Sequence, residues 1–317
     1  MSFTIDRYRI NDLSILRLQD KATGAMVGIL PEHGALLHAF EIPVGGKPFN
    51  VVDNYPDRAS LDQELTLSYK SAKLSPFPCR IANGRYEYEG EHYEFPRKFV
   101  DGTAIHGLLA DKPFQLLNHY ADDQMAAATF RYHYDREDPG YPFTYNCELR
   151  YTLHPNNVLQ LQTTLLNLDD RTIPIADGWH PYFALGGSVN DQELQFSSDT
   201  MLEFDDRLIP TGEVIKVPDY LQPAPLGHRQ LDNCFVLEVQ EGMPCCLLRN
   251  PANGLSLSIY TNVLYPYLQI YTPDHRRSIA IENLSSAPDC FNNGMNVHLL
   301  APRASLTFNV WYQLSVE

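Results

Sequence analysis

The sequence predicts an all-β protein, a large and mostly antiparallel β-sandwich with few short helices. Three observations carry that expectation. Apolar residues recur at every second position in segment after segment, the period of a half-buried strand. Helical periodicity is scarce. The chain also holds 19 Tyr and 15 Phe, which suit pleated surfaces, with 23 Pro and 18 Gly dispersed among them as turn residues.

The elements follow in order along the chain. Near Ser60 to Tyr69 lies the one helix expected, with Ser60 and Gln63 as a capping box. Tyr86, Tyr88, Tyr93 and Phe95 alternate with polar residues around Glu89-Gly90-Glu91, a hairpin signature. Cys147, Leu149, Tyr151 and Leu153 alternate up to His154-Pro155-Asn156-Asn157, and Leu159, Leu161, Thr163 and Leu165 alternate away from it. Asn253-Gly254 is a strong turn dipeptide and precedes Leu255, Leu257 and Ile259 in the same period. The chain closes on Leu306, Phe308, Val310, Tyr312 and Leu314. No linker, low-complexity run or clear internal repeat divides it, so residues 1–317 read as one domain, with a split into two β domains as the alternative.

Composition bounds the function. At 44% hydrophobic and 20% charged residues, the chain can build a sizeable core without staples. Its 24 basic and 39 acidic residues give −15, which repels nucleic acid and anionic membranes. No stretch approaches the roughly 18 apolar residues that span a bilayer. Met1 to Arg7 carries charges where a signal peptide needs an apolar run, so a soluble, cytoplasmic protein is expected. Its six cysteines (Cys79, Cys147, Cys234, Cys245, Cys246 and Cys290) show no CxxC pair or zinc spacing and are expected to be reduced core thiols.

Absences narrow the chemistry further. There is no GxG, no P-loop and no GxSxG elbow. No two of the eleven histidines lie closer than five residues, which removes HxH and HExxH. Ligands converging from distant strands would escape this test, but a mechanism with no metal and no cofactor is the simpler expectation.

Several segments break the strand pattern and set polar residues beside glycine, proline and aromatics. They are Ser75 to Arg85, Ile105-His106-Gly107, Asp177 to Phe183 and Ile281 to Gly294. Singly, each has an ordinary reading. Arg80 is then a surface arginine before a hairpin, His106 a loop histidine beside a turn glycine, His180 a hydrogen-bonded histidine in an aromatic corner, and Glu282 a strand end. Their joint occurrence on a scaffold without another candidate site argues for chemistry.

Together these segments resemble the aldose 1-epimerase (galactose mutarotase-like) family, in the family's order. Pro78 through Tyr86 is similar to its Pro-x-x-Arg-Ile element and Gly-Arg-Tyr hairpin, His106-Gly107 to its His-Gly element, and His180-Pro181-Tyr182-Phe183 to its His-x-Tyr-Phe element. Asp232 with Phe235, Leu268 through Thr272, and Glu282 through Gly294 are similar to its later elements. The resemblance implies a galactose mutarotase-like supersandwich that interconverts the α and β anomers of a small free aldose, expected to be a hexose. It implies Glu282 as general base at the anomeric hydroxyl and His180 as general acid at the ring oxygen. Arg80, His106 and Asp232 are implied to hold the sugar's oxygens. A carboxylate near His180 is expected to favour the imidazolium. Trp179 and Tyr182 read equally as sugar platforms or as core. Cys79, Leu108 and Trp179 stand where the family commonly has Asn, Gly and Asn, which bears on the identity of the sugar.

Three alternatives stay open. A hexose-6-phosphate 1-epimerase would need cations around the phosphate, for which Arg80, Arg85, Lys73, Arg276 and Arg277 are the nearby candidates. A carbohydrate-binding protein on the same fold would bind without turnover. A glycoside hydrolase or polysaccharide lyase comes last, because a hydrolase normally needs two carboxylates. The sequence leaves monomer and homodimer equally open.

Overall fold

The period-two segments fold as strands, and in the computed structural model, which describes residues 1–316, 51% of the chain is strand and 8% helix. Thr144–His154 pairs antiparallel with Val158–Asn167, setting Leu149 opposite Thr163 and Leu153 opposite Leu159. Leu159, Leu161, Thr163 and Leu165 all turn inward and are buried. The turn between the strands holds Asn156 and Asn157 at φ of 63° and 56°, a left-handed pair that asparagine tolerates. Arg85–Tyr88 and Glu91–Glu94 form the tyrosine hairpin, turning through Glu89 and Gly90.

Two large sheets result. One has nine strands and runs from Gln115–Ala121 through the Thr144–His154 hairpin and the closing strand Ser305–Val316 to Ala224–Pro225. The other has eight and carries, side by side, Asp232–Val236, Tyr267–Tyr271, Ile279–Leu284, Gly178–Trp179 and Lys73–Leu74. Aromatic side chains join their inner faces. Tyr151 meets Trp179 edge-on at 6.0 Å, and Phe183 meets Tyr312 at 5.3 Å. Such tilted contacts are the favoured aromatic geometry. A five-stranded antiparallel meander from Phe3–Ile10 to Lys47–Asn50 flanks the two sheets in sequence and contributes Leu18, Val27 and Phe40 to the same core.

The helix expected near Ser60 to Tyr69 spans Arg58–Ser68, and its cap is not the one anticipated. Asp57 is the N-cap and accepts from the Ser60 backbone N–H at 2.7 Å, so Ser60 lies inside the first turn. An aspartate bonding three residues ahead outcompetes the capping box because it satisfies a terminal N–H with a full charge. Leu61 and Leu65 pack on Leu13, Ile15, Tyr55 and Leu74, which docks the helix beside the eight-stranded sheet. The helix ends on Tyr69 in the left-handed region at φ 50°. A short second helix, Cys290–Asn293, has no counterpart in the sequence reading.

Among the described residues all six cysteines are buried and free, as expected for core thiols. No helix among those residues is long and apolar enough to cross a membrane.

Among the described residues, one ion pair has no exposure on either side. Lys73 Nζ lies 2.6 Å from Asp177 Oδ2, donates to the Gly178 carbonyl at 2.9 Å, and sits 4.4 Å over the Trp179 ring. Tyr265 donates its hydroxyl to the same Asp177 oxygen at 2.6 Å. Lys73→Met should lower unfolding free energy by about 3–5 kcal/mol, because it strands a buried carboxylate. Arg58→Met, which breaks the exposed pair with Asp62, should cost only about 0.3–0.5 kcal/mol. Urea unfolding midpoints compare the two. Equal losses would show that the buried pair has no special weight.

Candidate active site

The strand Ile279–Leu284 is buried along its whole length and carries Glu282 near its end. Gln269 stands opposite Glu282 on Tyr267–Tyr271, and Cys234 stands opposite Gln269 on Asp232–Val236. Opposed residues share a face, so the three form a row across the sheet, and Asp232, two positions from Cys234, joins the same face. Gln269 Nε2 donates to Asp232 Oδ1 at 2.7 Å and orients that carboxyl.

His180 comes from the other side of the same strand. Gly178–Trp179 pairs with Leu284 and Asn283, and Tyr182–Phe183 pairs with Ala280 and Ile279. Proline at 181 cannot donate to the ladder, so pairing breaks between these two short strands. The His180 backbone is held instead by the 71–72 segment. Its N–H donates to the Ala72 carbonyl at 3.1 Å, and its carbonyl accepts from Ser71 at 2.8 Å. The imidazole then stacks on Tyr182 at 5.1 Å, and its Nε2 lies 3.3 Å from Glu282 Oε1. The second carboxylate oxygen, Oε2, is buried without a hydrogen-bond partner.

Arg80 opens the two-residue strand Arg80–Ile81, and His106 directly follows its partner Ala104–Ile105, with Ile105 opposite Arg80. His106 adopts φ 59° and donates its backbone N–H to the Cys79 carbonyl at 2.9 Å. Gly107 explains the His-Gly dipeptide: at φ 71°, a Cβ there would sit 2.3 Å from the Ser75 carbonyl oxygen. The His106 ring packs between Tyr69 at 4.7 Å and His180 at 4.8 Å. Arg80 donates from Nε to Asp101 at 3.0 Å.

All five residues singled out in the sequence (Arg80, His106, His180, Asp232 and Glu282) line one cavity of about 440 Å³. Gln269, Tyr69, Tyr271, Lys70, Cys79 and His275 also line it and had been assigned no role. Gln269 had a visible signal, its place in the Leu268-to-Thr272 strand, but only the register sets it beside Asp232. Of the two aromatics left open, Tyr182 lines the cavity, whereas Trp179 is 1% exposed and belongs to the core.

Burial dominates the electrostatics. It pushes the Glu282 carboxyl well above the carboxylate range, reinforced by Asp232 and opposed by Arg80. It lowers His180 to about 3. The carboxylate beside His180 was expected to favour the imidazolium; desolvation opposes that attraction and disfavours the charged form of both groups. His106 is likewise held neutral, by burial first and then by His180 and Arg80. Asp232 is raised by burial, with Arg80 and the Gln269 hydrogen bond acting against it.

The cations that a phosphorylated sugar would need are mostly elsewhere. Lys73 is committed to Asp177 in the core, Arg85 pairs with Glu94 at the surface, and Arg276 donates to the Gly227 and Arg229 carbonyls. Of the five named from sequence, Arg80 alone lines the cavity.

Comparison with known proteins shows the family and the fold. An uncharacterised Escherichia coli protein, YihR, is 27% identical over 260 residues, covering 79% of this chain and 82% of its own. Mouse galactose mutarotase is 30% identical over 231 residues, 64% of this chain and 62% of that enzyme. A galactose mutarotase-like protein from Clostridium acetobutylicum superposes with a TM-score of 0.88 over 100% of this chain and 99% of its own, at 18% identity, and so has the same fold. The sequence profile described as aldose 1-epimerase matches residues 15–313, nearly the whole length, and the chain therefore belongs to the aldose 1-epimerase family.

Proposed function

We propose that this protein interconverts the α and β anomers of a free aldose, with Glu282 as general base and His180 as general acid. One observation carries the reading: a buried carboxylate held at Oε1 by a histidine 3.3 Å away and without a hydrogen-bond partner at Oε2, on the wall of a cavity large enough for a monosaccharide.

Both reacting oxygens of a cyclic aldose are bonded to C1, so an acid and a base in mutual contact can serve them together. Oε2 takes the proton from the anomeric hydroxyl while His180 Nε2 gives one to the ring oxygen. The bond between C1 and the ring oxygen breaks, leaving an aldehyde, a carboxylic acid and a neutral imidazole. Rotation about C1–C2 exposes the other face of the aldehyde. Closure reverses each transfer and restores the starting pair, with only these side chains and the sugar's own oxygens involved. The charge-separated form needed at the start contains the same single proton as the neutral pair, moved from Oε1 to Nε2. Arg80 and the sugar hydroxyls stabilise the carboxylate in that form. Arg80 and His106 donate to the remaining hydroxyls, and Asp232, oriented by Gln269, accepts from them.

The balance of charge favours a neutral sugar. Lys70 and Arg80 bring positive charge to the cavity, but each is paired, with Asp53 and Asp101, and Glu64, Asp232 and Glu282 line the same space. Free hexoses should therefore be turned over with higher kcat/KM than their 6-phosphates. A preference for the phosphorylated sugar that weakens as salt rises would reverse this assignment.

Glu282→Gln should lower turnover by at least about 10² with sugar affinity largely kept, and His180→Asn should do likewise, because each removes one proton transfer. Arg80→Ala and Asp232→Ala should weaken binding as well as turnover. Anomer exchange followed by polarimetry or NMR, with binding by calorimetry, separates these outcomes. Undiminished exchange in Glu282→Gln would refute the base, and a wild type that binds sugars without exceeding the buffer rate would be a binding protein.

The pH profile follows from the one-proton pair. Activity falls on the acid side when the pair gains a second proton, which burial resists at His180, so that limb moves below the roughly 6.5 of a free histidine. It falls on the alkaline side when the pair loses its last proton, which burial at Glu282 resists, so that limb moves up from the carboxylate range. A broad plateau across neutrality is expected, its limbs belonging to the pair and not to either residue. An acid limb at or above about 6.5 would contradict the arrangement.

A further inference from the structure

We infer that the same cavity is a binding site for a borderline-soft divalent cation such as Zn²⁺, held by Cys79, His106 and Glu282. One donor atom of each, the Cys79 Sγ, a His106 ring nitrogen and a Glu282 carboxylate oxygen, lies within 4.8 Å of the others, and all three residues are buried. A sequence search for local metal spacing cannot find this set, because its members come from three segments that only the tertiary structure brings together.

The chemistry of the set is specific. Thiolate, imidazole and carboxylate are the three donor types that zinc takes, and three protein ligands with an open fourth position is the usual form of an accessible zinc site. Tetrahedral zinc at about 2.0–2.3 Å from each ligand needs donors about 3.3–3.7 Å apart. From a 4.8 Å limit, that is a closing movement of about 1 Å, within reach of side-chain torsions.

Two of the three residues carry an unsatisfied ligand-capable atom. Glu282 Oε2 and His106 Nδ1 are buried and lack hydrogen-bond partners. His180 holds Glu282 by the other oxygen, the outer contact that ordinarily orients a carboxylate ligand. The backbone fixes the other two ligands relative to each other. Cys79 and His106 both adopt left-handed φ, 51° and 59°, and the His106 N–H is bonded to the Cys79 carbonyl.

Binding replaces protons with metal. Thiol and carboxyl must lose their protons to ligate, so the affinity rises with pH. A cation in this position occupies Glu282 and blocks the sugar. Its consequence for turnover rests on the function proposed above, whereas the site itself does not.

The test is therefore read without turnover. The chelator-stripped full-length protein is titrated with zinc chloride against a chromophoric chelator, and separately with Co²⁺. One equivalent of zinc should bind with micromolar or tighter affinity, and Co²⁺ should develop a near-ultraviolet thiolate charge-transfer band. Cys79→Ser should abolish the band and weaken zinc by at least about 100-fold. Cys79→Ala should do the same if the serine variant fails to fold by circular dichroism. Cys234→Ser, which alters a neighbouring buried thiol outside the set, should keep both signals. Absence of one-equivalent binding, absence of the band in wild type, or zinc held as tightly by a folded Cys79 variant would each overturn the proposal. In the separate exchange assay, zinc should inhibit and chelator restore. A protein that binds zinc but never exchanges anomers would keep the site and lose only the function.

Discussion

The site rests on one buried ion pair. Lys73 and Asp177 meet at 2.6 Å with no exposed surface, and Asp177 is tied at its backbone to Ser285 in both directions: its N–H donates to the Ser285 hydroxyl, and its carbonyl accepts from the Ser285 N–H. Ser285 follows the strand that carries Glu282, and Asp177 precedes the strand that delivers His180. Lys73 itself lies beside Trp179 in the ladder. One charge pair thus joins the three segments whose mutual position sets the Glu282–His180 contact. In a dry core such a pair tolerates little loosening, since a partly separated charge loses its attraction without regaining water. That makes it a poor source of net stability and a strong source of position.

Around this fixed frame the cavity is left deliberately incomplete. Folded proteins pair nearly all buried polar atoms, yet Glu282 Oε2, His106 Nδ1 and His180 Nδ1 cluster here without partners. Burial of such groups costs free energy that the apolar and aromatic core must offset. Other unpartnered atoms, such as Tyr86 OH and Thr163 Oγ1, lie elsewhere in the interior, but these three belong to residues that line one space of about 440 Å³. Their protonation is set by the same desolvation. A carboxyl and an imidazole both biased toward their neutral forms make a pair with one movable proton, which an entering polar molecule can redistribute.

Much of this was legible in the chain. Strand after strand followed the alternation, because a side-chain period of two directly reports a sheet with one buried face, as Leu159, Leu161, Thr163 and Leu165 illustrate. The turns were visible too, since Asn156, Asn157 and Gly254 are residues that accept positive φ. The helix was found but its start was misplaced, because Ser60 and Asp57 are both competent caps and only the geometry chooses between them. Cys290–Asn293 escaped because a single helical turn has no period to read.

For the site, the sequence by itself determined which residues are unusual: a histidine before a proline, a histidine before a glycine that no other residue could replace, an arginine and two acids in strand contexts. Those features are local, so a linear reading reaches them. Only the tertiary structure decided that Arg80, His106, His180, Asp232 and Glu282 share one cavity, that Gln269 orients Asp232, that Cys79 completes a metal-competent triad, and that Lys73 is structural. Burial also acts against the charge expected on His180. The physical reason is common to all of these. Register and burial depend on residues far apart in the chain, and desolvation, which sets the protonation of the pair, does not exist until the sheets close over it.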